Sequence, residues 1–456
     1  MKPRQLAERI CAVLHDAGHQ AYFVGGCVRD LLLGIEPADY DVATDAIPQR
    51  VQELFPGSFT VGAHFGVIIV REDSVQVEVA TFRSDLAYSD GRHPDGVVFS
   101  ASPEQDAHRR DFTINGLLFD PRAGEVLDFV GGRVDLQAGI IRAIGEPARR
   151  FAEDRLRMLR AVRFAARFGY RVDELTFAAI HQHAASIGQV SAERIRNELT
   201  RILTEGGARR GFELLDKTSL LSAVLPEIVR MKGVEQPPQF HPEGDVWNHT
   251  MLMLEKLPPG TPVTLAWGVL LHDVGKPPTF AAPRTPQDRI RFDGHVETGI
   301  ALAAKICARL RFSTDDTEQI QALIANHMRF IDVHRMRVST LKRFARLSRF
   351  QEEHLELHRL DCISSHQQLD SYNFVADFLA KTPPEIVRPA RLVTGDDLLL
   401  EGLRPGPRFR QILEAVEEAQ LEGKLANRDE ALAYARTLIA AKASIVEGTK
   451  FADSSN

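Results

Sequence analysis

Cysteine is scarce in this 456-residue chain. Its four cysteines, Cys11, Cys27, Cys307 and Cys362, form no CxxC pair. That excludes a disulfide framework and a zinc ribbon, and it points to a reducing, cytoplasmic compartment. Long apolar runs are missing too: none approaches the ~18 residues that cross a bilayer, so no membrane partner is expected. The first twenty residues read as an amphipathic helix without the unbroken apolar centre of a secretory leader. There are no internal repeats. With 44% hydrophobic and 26% charged residues, collagenous, low-complexity and largely disordered classes are excluded. A basic excess is lacking as well, since the formal net charge is −6. Global charge is not local field, however. From Arg142 to Arg171 there are nine arginines against three acids, Glu146, Glu153 and Asp154. A segment with that local balance suits a polyanion.

Four regions follow from the pattern of elements. Residues 1–140 alternate helix and strand signals: Leu6–Gly18 is helical, Ala21–Val24 is a short strand, and Val67–Val70 and Val75–Ala80 are neighbouring strands about an Asp73-Ser74 turn. Residues 141–235 are helical and Arg-rich at their start. After the Pro237-Pro238 interruption, 236–375 is helical and rich in histidine. Residues 376–456 contain a Pro-rich joint and a last charged helix over 408–445. The fold class is α+β, a mixed-sheet N-terminal domain followed by an all-α remainder. Oligomeric state is not legible.

Candidate chemistry begins with Asp39-Tyr40-Asp41. On a strand, residues i and i+2 share a face, so two carboxylates stand side by side. Like charges so close call for a cation between them, and hard oxygen ligands suit Mg²⁺ that also holds substrate phosphates. Upstream, Gly25-Gly26 turns a strand into a helix and lets backbone N–H groups approach an anion, with Arg29 one turn on. Each piece alone is as well explained by a surface acidic pair or a structural turn. Together, about ten residues apart, they favour metal-dependent phosphoryl or nucleotidyl transfer. Glu78, in VQVEVA, is either a third carboxylate or an exposed strand position.

The stretch RRFAEDRLRMLRAVRFAARFGY (149–170) is expected as one helix carrying Glu153, Asp154, Arg157, Arg160 and Arg163, with Leu156, Leu159, Val162 and Ala166 in its core stripe. Read without function, it is a solvated helix with internal ion pairs. Read chemically, Asp154 is an acceptor beside the donor Arg157. Cytosine and adenine present an amino group beside a bare ring nitrogen, whereas guanine and uracil present a carbonyl beside an N–H, so that pair accepts C and A and rejects G and U. Arg160 and Arg163 drift around the helix toward phosphates or RNA. Further on, His249, His272, Asp273, His295, His327 and Asp361 follow one another on successive helices. Imidazoles with one or two carboxylates suit a borderline divalent metal such as Mn, Fe, Ni, Co or Zn.

GGCVRDLLLG with DYD, HRRDFTINGL (108–117), GGRVDL (131–136) and the 149–170 stretch, in this order over residues 20–225, resemble class II CCA-adding enzymes and bacterial poly(A) polymerases. The resemblance implies a nucleotidyltransferase palm followed by helical neck, body and tail. It implies that Asp39 and Asp41 bind Mg²⁺, that Gly26, Arg29 and Arg110 contact the nucleotide, and that Asp154, Arg157, Arg160 and Arg163 read the base and hold the triphosphate. Residues 81–96 match the family's flexible loop, with Arg83, Asp85, Tyr88, Asp90 and Arg92 intact, which argues against a CC-only product. The histidine set looks like an HD-type phosphohydrolase, with His249, His272, Asp273 and Asp361 at a first metal, His295 and His327 at a second, and Lys276 on phosphate. The leading expectation is CCA addition to tRNA from CTP and ATP. A-only or poly(A) addition, an RNA-binding regulator with a spent site, and a hydrolase of a signalling nucleotide are the alternatives.

Overall fold

In the computed structural model, residues 1–60, 66–85, 96–285 and 288–450 are described. The chain divides into two compact units, Met1–Gln236 with Gly244–Thr317, and Pro237–Glu243 with Glu318–Asn456. The division cuts through the region 236–375.

In the first unit α1 (Pro3–Asp16) opens the chain. Leu6, Ala7, Ile10, Cys11 and Leu14 are fully buried along one stripe, the i, i+4 spacing of an amphipathic helix. That stripe lies on the sheet strands β1 (Ala21–Val24), β2 (Asp41–Thr44) and β5 (Val75–Thr81). Each such aliphatic side chain contributes about 1.5–3 kcal/mol by burial. Between β1 and β2 runs α2 (Gly26–Leu32), and α3 (Pro48–Leu54) follows β2. With β3 (Phe59–Thr60), β4 (Val67–Glu72), β8 (Leu117–Asp120) and β9 (Glu125–Asp128), the strands make a seven-stranded mixed sheet in the order β3-β4-β5-β2-β1-β8-β9. β4 and β5 pair antiparallel about Asp73-Ser74, whereas β2 and β5 run parallel. A separate pair, β6 (Arg83–Asp85) and β7 (Val97–Phe99), flanks the sheet in sequence and leads to α4 (Pro103–His108). Of the flexible-loop residues, Arg83 and the backbone of Asp85 lie in β6; Tyr88, Asp90 and Arg92 lie outside the described residues.

Past β9 come α5 (Gly132–Ala138), β10 (Ile140–Ile141), α6 (Pro147–Glu153), α7 (Arg157–Phe168) and β11 (Arg171–Val172). β10 and β11 form a two-residue parallel pair, a small departure from the all-α expectation. The expected single helix over 149–170 is two helices. The chain turns at Asp154, whose φ of −144° and ψ of 106° are extended, because its carboxylate accepts the N–H of Leu156 at 3.0 Å and replaces a turn of helical ladder. The core stripe holds: Leu156, Leu159, Val162 and Ala166 are buried. Next are α8 (Glu174–His183), α9 (Ala192–Thr204), α10 (Ala208–Lys217), α11 (Leu220–Val224), α12 (Pro226–Val229), α13 (Val246–Glu255), α14 (Val263–Leu271), α15 (Lys276–Thr279) and α16 (His295–Arg309).

The second unit has its own cores, one around Phe330, Phe344, Phe350 and Leu355, another around Leu398, Ile412, Val416 and Ala435. The expected last helix is a pair, Pro407–Leu421 and Arg428–Lys450. Gly423, at φ +72°, supplies the left-handed turn that ends the first of them. No described helix is long and apolar enough to cross a membrane.

Candidate active site

The acidic face begins on β2 and β5. Tyr40 is buried edge-on against Phe23, with ring centroids 5.3 Å apart, so its neighbours Asp39 and Asp41 both face outward and are exposed. Only Asp41 is in the strand. Asp39 precedes it in the irregular segment after Pro37, which corrects the expectation of two carboxylates on one strand. Across the parallel ladder Asp41 is the register partner of Glu78. Glu78 is exposed between the buried Val77 and Val79, so all three carboxylates leave the sheet on the solvent side. The protein packed around Asp41, then the charge of Glu78, push its carboxyl up to about 6, with Arg110 opposing and Asp39 adding to the shift. Asp41 and Glu78, like charges facing each other across the ladder, are hard oxygen donors of the kind that suits Mg²⁺.

Gly25 has a φ of +75°, and a Cβ there would sit 3.0 Å from Arg110 Nη1. Glycine is therefore required twice, for the backbone angle and to let the guanidinium lie against the turn. Arg110 donates through Nε and Nη2 to Asp106 at 3.2 and 2.8 Å, and Arg109 donates to the other oxygen of Asp106 at 2.8 Å. Asp106 is fully buried, and sequence reasoning missed it. Its signal was available: one acid three and four residues before two arginines on a short helix.

The backbone of these same arginines carries the second half of the site. The Arg110 carbonyl accepts Arg150 Nη2 at 2.5 Å, and the Arg109 carbonyl accepts Arg157 Nη2 at 3.4 Å. Arg157 also donates to Glu153 at 2.9 Å and to the Arg150 carbonyl at 3.1 Å. Arg157 thus meets the backbone of the Arg109–Arg110 segment, and the charge of Arg110 is felt by Asp41. Asp154 is partly open to solvent at the joint between α6 and α7.

Two arginines have other tasks than those expected. Arg163 is 1% exposed and bound to Glu198 at 2.7 Å and Glu205 at 3.1 Å, so it fixes α7 to α9 and presents nothing to a triphosphate. Arg29 is 4% exposed. It is held by Asp30 at 2.6 Å and by Asn115 Oδ1 at 2.7 Å, and it lies over the rings of Phe164 and Phe168. Burial lowers its pKa, and its role is a strut between α2 and α7. Arg160 pairs with Asp111 at 2.7 Å. Burial alone would raise the Asp111 carboxyl, but Arg160 and Asn115 outweigh it and hold it near 2.

Comparison with known proteins decides the family. A CCA-adding enzyme of Leuconostoc mesenteroides is 31% identical over 428 residues, covering 93% of this chain and 94% of that protein. The chain belongs to the CCA-adding enzyme family. Another family member, from Geobacillus stearothermophilus, is 42% identical over 224 residues, 49% of this chain and 55% of that one. The crystal structure of the Bacillus stearothermophilus CCA-adding enzyme in complex with CTP superposes with a TM-score of 0.68 at 26% identity, covering 97% of this chain and all of that one. The model of the poly A polymerase head domain matches residues 21–142, that of a probable RNA- and SrmB-binding site of polymerase A matches 169–231, and that of the HD domain matches 245–360.

Within the first unit the HD match is built on α13–α16. His272 caps α14, and its ring lies 5.4 Å from that of His249 on α13. Its Nε2 is 3.1 Å from Asp273 Oδ2, which also holds Lys276 at 2.7 Å. Gly275 is required here, because a Cβ would lie 2.0 Å from the carbonyl of His295, the first residue of α16. His327 and Asp361 belong to the second unit. His272, His295 and His327 share one local device: Nδ1 faces the carbonyl three residues earlier, at 2.8, 2.9 and 2.7 Å. A carbonyl only accepts, so at His295 and His327 a proton on Nδ1 leaves the lone pair on Nε2; at His272 Nε2 also faces the Asp273 carboxylate, which a cation between the two would reconcile. The Nδ1-protonated form is the tautomer a metal-ligating histidine needs.

Proposed function

We propose that this chain adds C and A to the 3′ end of tRNA from CTP and ATP. Asp39, Asp41 and Glu78 would hold Mg²⁺, while Asp154 and Arg157 read the base. The observation that carries the reading is the Arg109–Arg110 segment, whose Arg110 guanidinium stands at Gly25 and acts by its charge on Asp41, and whose Arg109 carbonyl takes Arg157. One segment therefore registers the carboxylates against the base reader. The family name of the relatives, the CTP in the related crystal structure and the RNA-binding match over 169–231 support it.

In the reaction the RNA 3′-hydroxyl oxygen attacks the α-phosphorus and gives its proton to water, a new phosphodiester bond forms, and the α–β P–O bond breaks with its electron pair leaving on pyrophosphate. Bound Mg²⁺ supplies charge neutralisation on the phosphates and acidifies the hydroxyl. Arg110 contributes a fixed positive charge beside the leaving phosphates, and Asp154 and Arg157 admit bases that pair an amine with a bare nitrogen. Purified protein given tRNA ending in the discriminator base, CC or CCA, with labelled CTP or ATP, tests this. Completion to CCA and no further is expected. If CTP is never incorporated, the product is A-only or poly(A) and the proposal fails. Asp41→Asn should abolish incorporation while leaving tRNA binding in place, which also separates the enzyme from a spent-site RNA binder.

We further propose that His249, His272, Asp273, His295, His327 and Asp361 hold borderline divalent metal for phosphoester hydrolysis, with Lys276 on phosphate. The Nδ1-to-carbonyl contact shared by three of the histidines supports this. Such a metal supplies an activated water. The region boundaries 1–140, 141–235, 236–375 and 376–456 and a cytoplasmic location complete the reading.

A further inference from the structure

We propose that Arg194, on α9 and outside every motif read from the sequence, is a specificity-positioning residue that aims the Asp154 carboxylate at the base edge. The inference rests on the reading that Asp154 and Arg157 inspect that edge. Asp154 sits at the corner between α6 and α7 with extended backbone angles, so no helical neighbour packs its side chain into place. Two contacts do so instead. Oδ1 accepts the N–H of Leu156 at 3.0 Å, and Oδ2 accepts Nη2 of Arg194 at 2.8 Å.

A carboxylate offers about four lone-pair directions, so two contacts leave room for an incoming amino group. The terminal torsion of aspartate is broad, and the Leu156 contact alone leaves the carboxylate free to rock about it. A second contact from a different helix removes that freedom. The donor half of the reader is braced separately, by Glu153 and by the carbonyl of Arg150. The donor half also reaches the Arg109 carbonyl, at a long 3.4 Å, whereas the acceptor half takes a 2.8 Å contact from α9. That element also carries Glu198 and, one residue past its end, Glu205, the two acids that hold Arg163. The helix inside the RNA-binding match therefore fixes both the rod and the carboxylate of the base reader.

Uracil tests the idea cleanly, since it matches cytosine in size and inverts its edge. A carboxylate fixed in direction meets the uracil carbonyl oxygen head-on, whereas a rocking one escapes it. Single-nucleotide incorporation of CTP and UTP on tRNA ending at the discriminator base is measured for wild type, Arg194→Met, Arg194→Lys and Asp154→Ala, with melting temperatures alongside. Arg194→Met should raise UTP relative to CTP by about tenfold or more, the value of one hydrogen bond to a charged group, with KM for CTP rising more than kcat falls. Arg194→Lys should recover part of the selectivity, because it returns a donor without the fork, and it serves where the methionine variant folds poorly. If both variants select like wild type while Asp154→Ala relaxes selection, Arg194 is only a structural brace and the proposal is overturned. If Asp154→Ala also selects like wild type, the base-reading model has failed, and the proposal falls with it.

Discussion

Asp106 carries its charge in the protein interior, where burial would push a carboxyl up; the guanidinium groups of Arg110 and Arg109 outweigh that and hold it below the usual range. Both arginines of the site are therefore aimed by one buried acid. Asp106→Asn should keep the fold and raise KM for either nucleotide more than it lowers kcat, because Arg110 loses the partner that points it at Gly25. Asp106→Ala should also cost stability, on the order of 3–5 kcal/mol, since it strands two poorly solvated cations; chemical denaturation measures it. A second residue-scale prediction lies in the other unit. His354 is 2% exposed, and burial lowers its pKa from 6.5 to about 4. A histidine depressed in the folded state stabilises fully above 6.5, and that contribution is lost as the pH falls toward 4. At pH 5 the loss is about 2 kcal/mol. His354→Phe should flatten the decline in melting temperature between pH 6.5 and 4; an unchanged decline would assign it to other groups. Asp41, the outward strand position of Glu78 and the Gly25 turn were legible in the sequence, because strand alternation and local turns are short-range, while the part Glu78 plays was left open between a third carboxylate and an exposed strand residue. Arg163 was not, because its partners Glu198 and Glu205 lie 35 and 42 positions away and no local pattern announces them.

Among elements, α7 and α9 form the structural hinge-pin of the site. Glu198 is 5% exposed and holds the 1%-exposed Arg163. Glu198→Ala should lower stability by about 1–3 kcal/mol, since it strips one charged hydrogen-bond partner from Arg163 and leaves only Glu205, and Glu198→Gln by less because one hydrogen bond survives. A melting curve unaffected by either would mean that α9 does not anchor the recognition helix. The break at Asp154 was hidden from sequence reading for a physical reason. The stretch AEDRLRML has no proline or glycine, and all its residues but Asp154 are good helix formers. The helix is interrupted by an aspartate that bonds the backbone two residues on and by an arginine on another element, so a tertiary contact overrides a local preference. Strands β4 and β5, joined by two residues, were legible for the opposite reason: their turn and alternation are contained in fifteen positions.

For the molecule as a whole, two donor chemistries coexist in one chain: a carboxylate face on the sheet and a histidine set on the helical region. Stripping metal with a chelator should abolish both activities. Mg²⁺ alone should then restore nucleotide addition, whereas hydrolysis of a simple phosphodiester should need Mn²⁺, Ni²⁺, Co²⁺ or Zn²⁺. His272→Ala should remove the second activity and spare the first. Loss of nucleotide addition in that variant would show the two centres to be interdependent. The α+β class and the order of head, RNA-binding and HD segments were readable from the chain. The division between compact units was legible only at the Pro237-Pro238 interruption; its other boundary, between Thr317 and Glu318, falls inside the helix Thr314–Asn326, where no proline or glycine marks it.

The corner at Asp154 has an outcome for how relatives diverge. Where an acceptor is aimed by residues other than those that read, two proteins with identical reading residues can write different terminal letters. A shift in preference then needs no change at the acceptor itself, only in the arm that steers it. Cataloguing products by the inspecting pair alone would score such proteins as alike.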